Sequence, residues 1–147
     1  MKNIWSILCN NSIRDGESKM VSIINVVDSF GAVIKKDQVG KKVFVNIPLE
    51  LVSCWSSFGE KFENFIIKVE LFDPQNNNLM ETELNVEKDN QKNNKNIKNV
   101  TTNLSIKSFP VNGSGIYIFK ISKKGSKEKS FKAVSKIPVN VKVKISE

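Results

Sequence analysis

"FENFIIKVELFD", residues 62–73, alternates apolar and polar side chains with a period of two. Phe65, Ile67, Val69 and Leu71 fall on one side, Lys68 and Glu70 on the other. That spacing fits a strand with one face against a core, because the apolar stripe of a helix recurs every three to four residues. A one-residue slip would expose the whole apolar set, so the pattern also pins the register.

The same period recurs along the chain. "NVTTNLSIKSF" (99–109) places Val100, Thr102, Leu104 and Ile106 inward, and Thr101, Asn103, Ser105 and Lys107 outward. "PVNVKVKISE" (138–147) sets Val139, Val141, Val143 and Ile145 against Asn140, Lys142 and Lys144. The best helix candidate, "LELVSCWSSF" (49–58), is rich in Val, Ser, Cys and Trp, which favours a strand. Turn chemistry punctuates these runs at "DGES" (15–18), "DPQNNN" (73–78), "NGSG" (112–115) and "KKGSKE" (123–128).

Eight or nine strands are expected, near 3–9, 19–29, 41–47, 49–57, 62–72, 79–87, 97–108, 115–122 and 129–145. The last is expected to break near Pro138, which cannot donate to a ladder. The fold class is therefore all-β: a single antiparallel β-sandwich over residues 1–147 with little helix. Trp5, Trp55, Phe65, Phe72, Tyr117 and Phe119 are expected to fill its core. Residues 88–99, "KDNQKNNKNIKN", cannot bury a face and read as a mobile Lys- and Asn-rich loop.

Apolar residues make up 39% of the 147 and no run approaches the ~20 needed to span a membrane as a helix. The short patch from Ile4 to Cys9 lacks the length and flanks of a signal peptide, so a cytoplasmic chain with no membrane partner is expected. With no His, a Ser-His-Asp or Cys-His pair and a His-ligated zinc are excluded. Cys9 and Cys54, the two cysteines, read as small core residues or as a disulfide pinning the sandwich. No Gly-rich phosphate loop or nucleophile elbow occurs, so neither a cofactor nor an enzyme activity is expected.

Four segments taken in order, "DGESKMVSIINVVDSF" (15–30), "IPLELVSCW" (47–55), "FIIKVELFDPQNNNL" (65–79) and "GSGIYIFKI" (113–121), carry a resemblance. Together they resemble a family of uncharacterised bacterial β-sandwich proteins, immunoglobulin-like in shape. The match is one of pattern across most of the chain. It departs at Asn76–Asn78, where the family has a Gly, and after Gly16, where the turn is longer. The resemblance implies an immunoglobulin-like fold and carries no activity and no functional residue.

Charge is unevenly divided. Residues 1–87 have nine Lys or Arg against twelve acids, a net of −3, while residues 88–147 have fourteen Lys against three acids, a net of +11. The densest cluster is Lys120, Lys123, Lys124, Lys127, Lys129 and Lys132, around the 123–128 turn. These lysines are the candidate binding residues for nucleic acid or an acidic partner. The bland reading, a solvated hairpin tip kept charged against edge pairing, is preferred. Arg is missing there, and Phe131, the one aromatic nearby, reads as pointing inward.

Among the acids, Asp15, Glu17, Asp28 and Asp73 lie in or near turns, and Glu81, Glu83 and Glu87 share one strand face. Asp15, Asp73 and Asn76–Asn78 could supply calcium only if their turns met at one end of the sandwich; a solvated surface is preferred. The function expected is thus a non-catalytic binding or accessory protein. Its expected partner is another protein, met through end loops or an exposed edge strand, with non-specific nucleic-acid binding through residues 88–147 as the alternative.

Overall fold

A computed structural model of the chain describes residues 1–18, 20–87 and 99–147. Among them are eleven strands: β1 (Lys2–Arg14), β2 (Val21–Val26), β3 (Ser29–Lys35), β4 (Val43–Val45), β5 (Leu49–Ser56), β6 (Phe65–Phe72), β7 (Asn78–Val86), β8 (Asn99–Ile106), β9 (Phe109–Val111), β10 (Gly115–Gly125) and β11 (Lys132–Ser146). The only helical turn among these residues is a 3-10 turn at Lys36–Gln38, and no helix is long and apolar enough to cross a membrane. The expected loop at 88–99 lies outside the described residues except for Asn99, which opens β8.

The strands form a four-stranded sheet in the order β2-β1-β5-β8 and a five-stranded sheet in the order β3-β11-β10-β6-β7. A two-stranded ribbon, β4-β9, accompanies them. All pairs are antiparallel except β3 with β11, which run parallel. The all-β sandwich expected from the period-two pattern is what the chain forms, with one parallel pair added.

The inner faces follow the alternation. Phe65, Ile67, Val69 and Leu71 of β6 are buried, as are Tyr117, Phe119 and Ile121 of β10 and Val139 and Val141 of β11. From the other sheet come Leu8, Leu49, Leu51, Trp55 and Ile106. Phe109, on the β4–β9 ribbon, packs against the five-stranded sheet: its ring is 5.5 Å from Tyr117, 6.0 Å from Phe119 and 5.0 Å from Phe30, all edge-on. Such edge-on contacts set the positive rim of one ring on the negative face of the next.

Several expectations are corrected. The expected strand 19–29 is two strands, because the chain changes sheets at Val27–Asp28. The Val27 N–H still donates to the Leu8 carbonyl, whereas the Asp28 carbonyl accepts from the Asn140 N–H. An alternating pattern cannot show which sheet a strand joins. β9 was likewise concealed, being three residues that include Pro110. β11 does not break at Pro138, which registers opposite Ile118. Asn140 N–H points toward β3, so the even-numbered position 138 turns its missing donor to that side too, before β3 begins at Ser29. Trp5 and Phe72 are half-buried on outer faces, in register with Cys54 and Ile118, while the fully buried Phe109 takes up core volume instead. Ile145 is exposed, because β11 runs past the end of the core. No disulfide pins the sheets: Cys9 and Cys54 are both free and lie in one sheet, Cys9 opposite Glu50 and Cys54 opposite Trp5. That four-residue offset separates them by about 13 Å along the strand, beyond the reach of a bridge.

Candidate functional site

The six candidate lysines do not form one face. β10 extends to Gly125, so Lys120, Lys123 and Lys124 are strand residues, Lys127 and Lys129 lie in the turn, and Lys132 opens β11. Register puts Lys120 opposite Glu70 and Lys124 opposite Ile66 on the outer face of the sheet, but Lys123 opposite the inward-facing Ile67. Lys123 Nζ reaches across the sandwich end and donates to the Met1 carbonyl at 3.0 Å.

Most of these charges already have partners. Lys120 Nζ lies 3.4 Å from Glu70 Oε2, Lys132 Nζ lies 2.9 Å from Glu128 Oε1, and Lys127 Nζ is 3.9 Å from Glu63. Lys124 sits 4.8 Å above the Phe131 ring, and Lys68 is 5.2 Å from the same ring. Phe131 therefore lies against the outer face between two ammonium groups, and the expectation that it points inward is corrected. Ring faces attract cations, which gives these lysines a position without a ligand.

The acids split into unlike groups. Asp15 Oδ1 accepts from its own turn, from the Glu17 and Ser18 N–H groups at 3.0 and 2.6 Å and the Ser18 hydroxyl at 2.7 Å. Asp73 is buried, and its turn is anchored elsewhere: it accepts from the Gln75 and Asn77 N–H groups and from the side-chain amides of Asn77 and Asn112. Burial, the largest single influence, pushes its pKa up, but those donors outweigh it and hold the carboxyl below the ordinary value. Its lone pairs thus serve the fold, and no group of three or more Cys, Asp or Glu among the described residues is arranged to hold a metal. Beside it, Tyr117 Oη accepts from the Asn112 N–H at 3.0 Å and lies 2.8 Å from both Asn112 Oδ1 and the Gly113 carbonyl. This ties the start of β10 to the turn before it.

A second region, which the alternation did not single out, is the open edge at β3. A groove of about 510 Å³ lies between Gly31–Lys35 of β3 and Val43–Ile47. Ala32 and Ile34 are buried in its wall, Val43, Val45 and Ile47 are half-buried, and Val33 and Phe44 are 65% and 60% exposed at its rims.

Backbone parity decides what β3 offers there. In a parallel pair, each bonding residue of one strand bridges the two neighbours of its register partner. Asn140 registers with Ser29 and donates to the Asp28 carbonyl at 2.9 Å. Residues 28, 30, 32 and 34 therefore bond β11, and the N–H and C=O groups of Ser29, Gly31, Val33 and Lys35 point the other way. Lys35 N–H is met there by Gln38 Oε1 at 3.0 Å. No strand lies on that side of Gly31 and Val33 among the described residues. A ladder position left open costs nothing in water, but it is a template for another strand. The signal available in the sequence was Val33, an apolar residue out of phase with Ala32 and Ile34 in a Lys-rich stretch.

No family model matches the chain, and no curated protein matches it. Among solved structures it is similar to the C-terminal domain of wzt, at 14% identity and a TM-score of 0.39, over 69% of this chain and 62% of that one. The CooA pilin subunit from enterotoxigenic Escherichia coli matches at 10% identity and a TM-score of 0.34, over 96% of this chain and 99% of that one. The chain thus spans under two thirds of the wzt domain structure, and at these scores neither similarity assigns it a function.

Proposed function

We propose that this chain is a non-catalytic binding module, immunoglobulin-like in arrangement, that takes an extended segment of another protein on the β3 edge. The observation that carries the reading is the pair of outward backbone positions, Gly31 and Val33, beside a groove of mixed lining that includes Val43, Val45 and Ile47. Recognition through an added strand needs such a pair of open ladder positions and side-chain room beside them. The immunoglobulin-like arrangement is supported by the parallel β3–β11 pair at the sheet edge and by the Tyr117 hydroxyl closing the turn before β10.

Two of the other described edges, β2 and β7, are less suited to pairing. β2 is distorted at Asn25, whose φ is 53°, and β7 presents the exposed Glu81 and Glu83. The alternative, nucleic-acid binding through residues 88–147, has less support. Lys120, Lys124 and Lys132 sit against Glu70, Phe131 and Glu128, and Lys123 turns to the sandwich end, which leaves the exposed Lys127 and Lys129.

Selection from a library of random linear peptides tests the proposal. Selected peptides should lose binding to the Val33→Pro variant, because proline at an edge position removes the outward donor and leaves the β11 ladder intact. Peptides whose binding Val33→Pro leaves unchanged, or a chain that selects none yet retards DNA at low salt, would overturn it.

A further inference from the structure

The groove also specifies the chemistry of its occupant, an inference that rests on the β3-edge reading just given. We infer that the segment added to β3 alternates apolar and acidic residues. A strand laid beside β3 sends successive side chains to opposite faces of the sheet. On the inner side they meet the groove wall, where Ile34 is buried and Val43, Val45 and Ile47 are half-buried and can still lose water. On the outer side they stand beside Gly31 and Val33, whose register partners on β11 are Lys142 and Lys144.

The charge on that outer side is mainly positive. Lys35, Lys142 and Lys144 are exposed around Gly31 and Val33, and Lys36 and Lys41 flank the connection from β3 to β4. Against them stand Asp37, in the 3-10 turn at the far end, and the exposed Glu147, next to the Ser146 that registers with Lys35. A lysine stem is long enough to reach a carboxylate on a strand one or two places away, and like charges opposite one another repel. An acidic outer face on the incoming strand is attracted, whereas a basic one is rejected. The inner positions that meet Ile34, Val43, Val45 and Ile47 favour apolar residues for the separate reason that these side chains offer no polar partner, although Gln38, Asn46 and Ser146 also line the groove.

Two features limit where the segment sits. Gln38 occupies the outward N–H of Lys35, so pairing ends near Val33. Gly31 has no side chain to fill its outer position, which leaves space over Lys142 for a bulky neighbour; a Cβ built there meets nothing closer than the Lys142 carbonyl at 3.9 Å.

The experiment uses the full chain and short capped peptides followed by calorimetry. One peptide alternates Glu with Val, a second alternates Lys with Val, and a third has the Glu–Val composition in two blocks. The Glu–Val alternating peptide should bind, with affinity falling roughly tenfold or more on raising salt, on replacing Lys142 and Lys144 by Glu, and on scrambling into blocks. N-methylation of the peptide on alternate residues should abolish binding in one phase and spare it in the other, a result independent of whether Val33→Pro folds. Equal or tighter binding of the Lys–Val peptide, still lost in Val33→Pro, would overturn the acidic occupant and leave the β3 groove standing. Failure of every alternating peptide, or binding blind to the phase of N-methylation, would overturn both.

Discussion

The Asn140 N–H donates to the Asp28 carbonyl at 2.9 Å, and this bond fixes which backbone groups of β3 face β11 and which face away from it. Asn140 starts the parallel pairing where the chain has just left the other sheet, and every later position inherits its parity. Amide exchange should report it residue by residue. Phe30, Ala32 and Ile34 should exchange slowly, while Gly31 and Val33 should exchange at least about tenfold faster, as open positions do. Equal protection across 30–34 would mean that the edge is already occupied.

Gly115 has φ of 146° and faces Pro74, and a Cβ built on it would lie 2.5 Å from Pro74 Cγ and 2.9 Å from Pro74 Cβ. Gly115→Ala should therefore cost about 2–4 kcal/mol in denaturant unfolding, from strain and overpacking together. Pro74→Gly in the same chain should restore part of that loss, because it removes the collision and leaves the backbone strain. Complete restoration would assign the whole cost to the contact, and none would assign it to the backbone.

Lys120 should matter to stability in a way that its neighbours in the turn do not. Glu70 is buried, its Oε2 has no hydrogen-bond partner among the described residues, and Lys68 and Lys120 lie 3.5 and 3.4 Å from its carboxylate. Lys120→Ala leaves that carboxylate short of charge and should cost about 1–3 kcal/mol, reduced from the fully buried case because Lys120 is partly in water. Lys129→Ala should fall within about 0.5 kcal/mol of the parent. Equal effects of the two substitutions in thermal or denaturant unfolding would contradict this account of the pair.

Glu128 provides a pH test at the tip of the β10–β11 hairpin. Its carboxyl is lowered from 4.5 to about 2, chiefly because the Gly125 N–H donates to it at 2.6 Å, with Lys132 adding to the effect. A carboxylate with a depressed folded-state pKa contributes stability above its ordinary value, and the contribution is lost as pH falls from 4.5 toward 2. The group is on the surface, so the readout is local. The Gly125 amide resonance should titrate with a midpoint near 2 and stay flat in Glu128→Gln. A midpoint near 4.5 would show that the bond is not formed.

The parts of the fold visible in the sequence are those that depend on local alternation. β6 reads directly from Phe65, Ile67, Val69 and Leu71, and β10 from Tyr117, Phe119 and Ile121, since each sits in a sheet with one face on the core. The change of sheet at Val27–Asp28 was not legible, because an apolar residue in either sheet looks the same in sequence. The lysine cluster was conspicuous by density, yet density ignores the period of the strand, which sends Lys120 and Lys124 to one face and Lys123 to the other. The β3 edge was hidden for a further reason. Its outward-facing groups belong to the backbone, and their direction depends on a partner more than a hundred residues away in the chain.

Isotope-labelled protein titrated with the Glu–Val alternating peptide, with every amide observed, tests the central claim most directly. Strand addition at β3 predicts that the Gly31 and Val33 amide protons move downfield and become protected from exchange, while Phe30, Ala32 and Ile34, already bonded to β11, change little. Shifts confined to the segment from Lys120 to Lys132, with Gly31 and Val33 exchanging as freely as before, would contradict it.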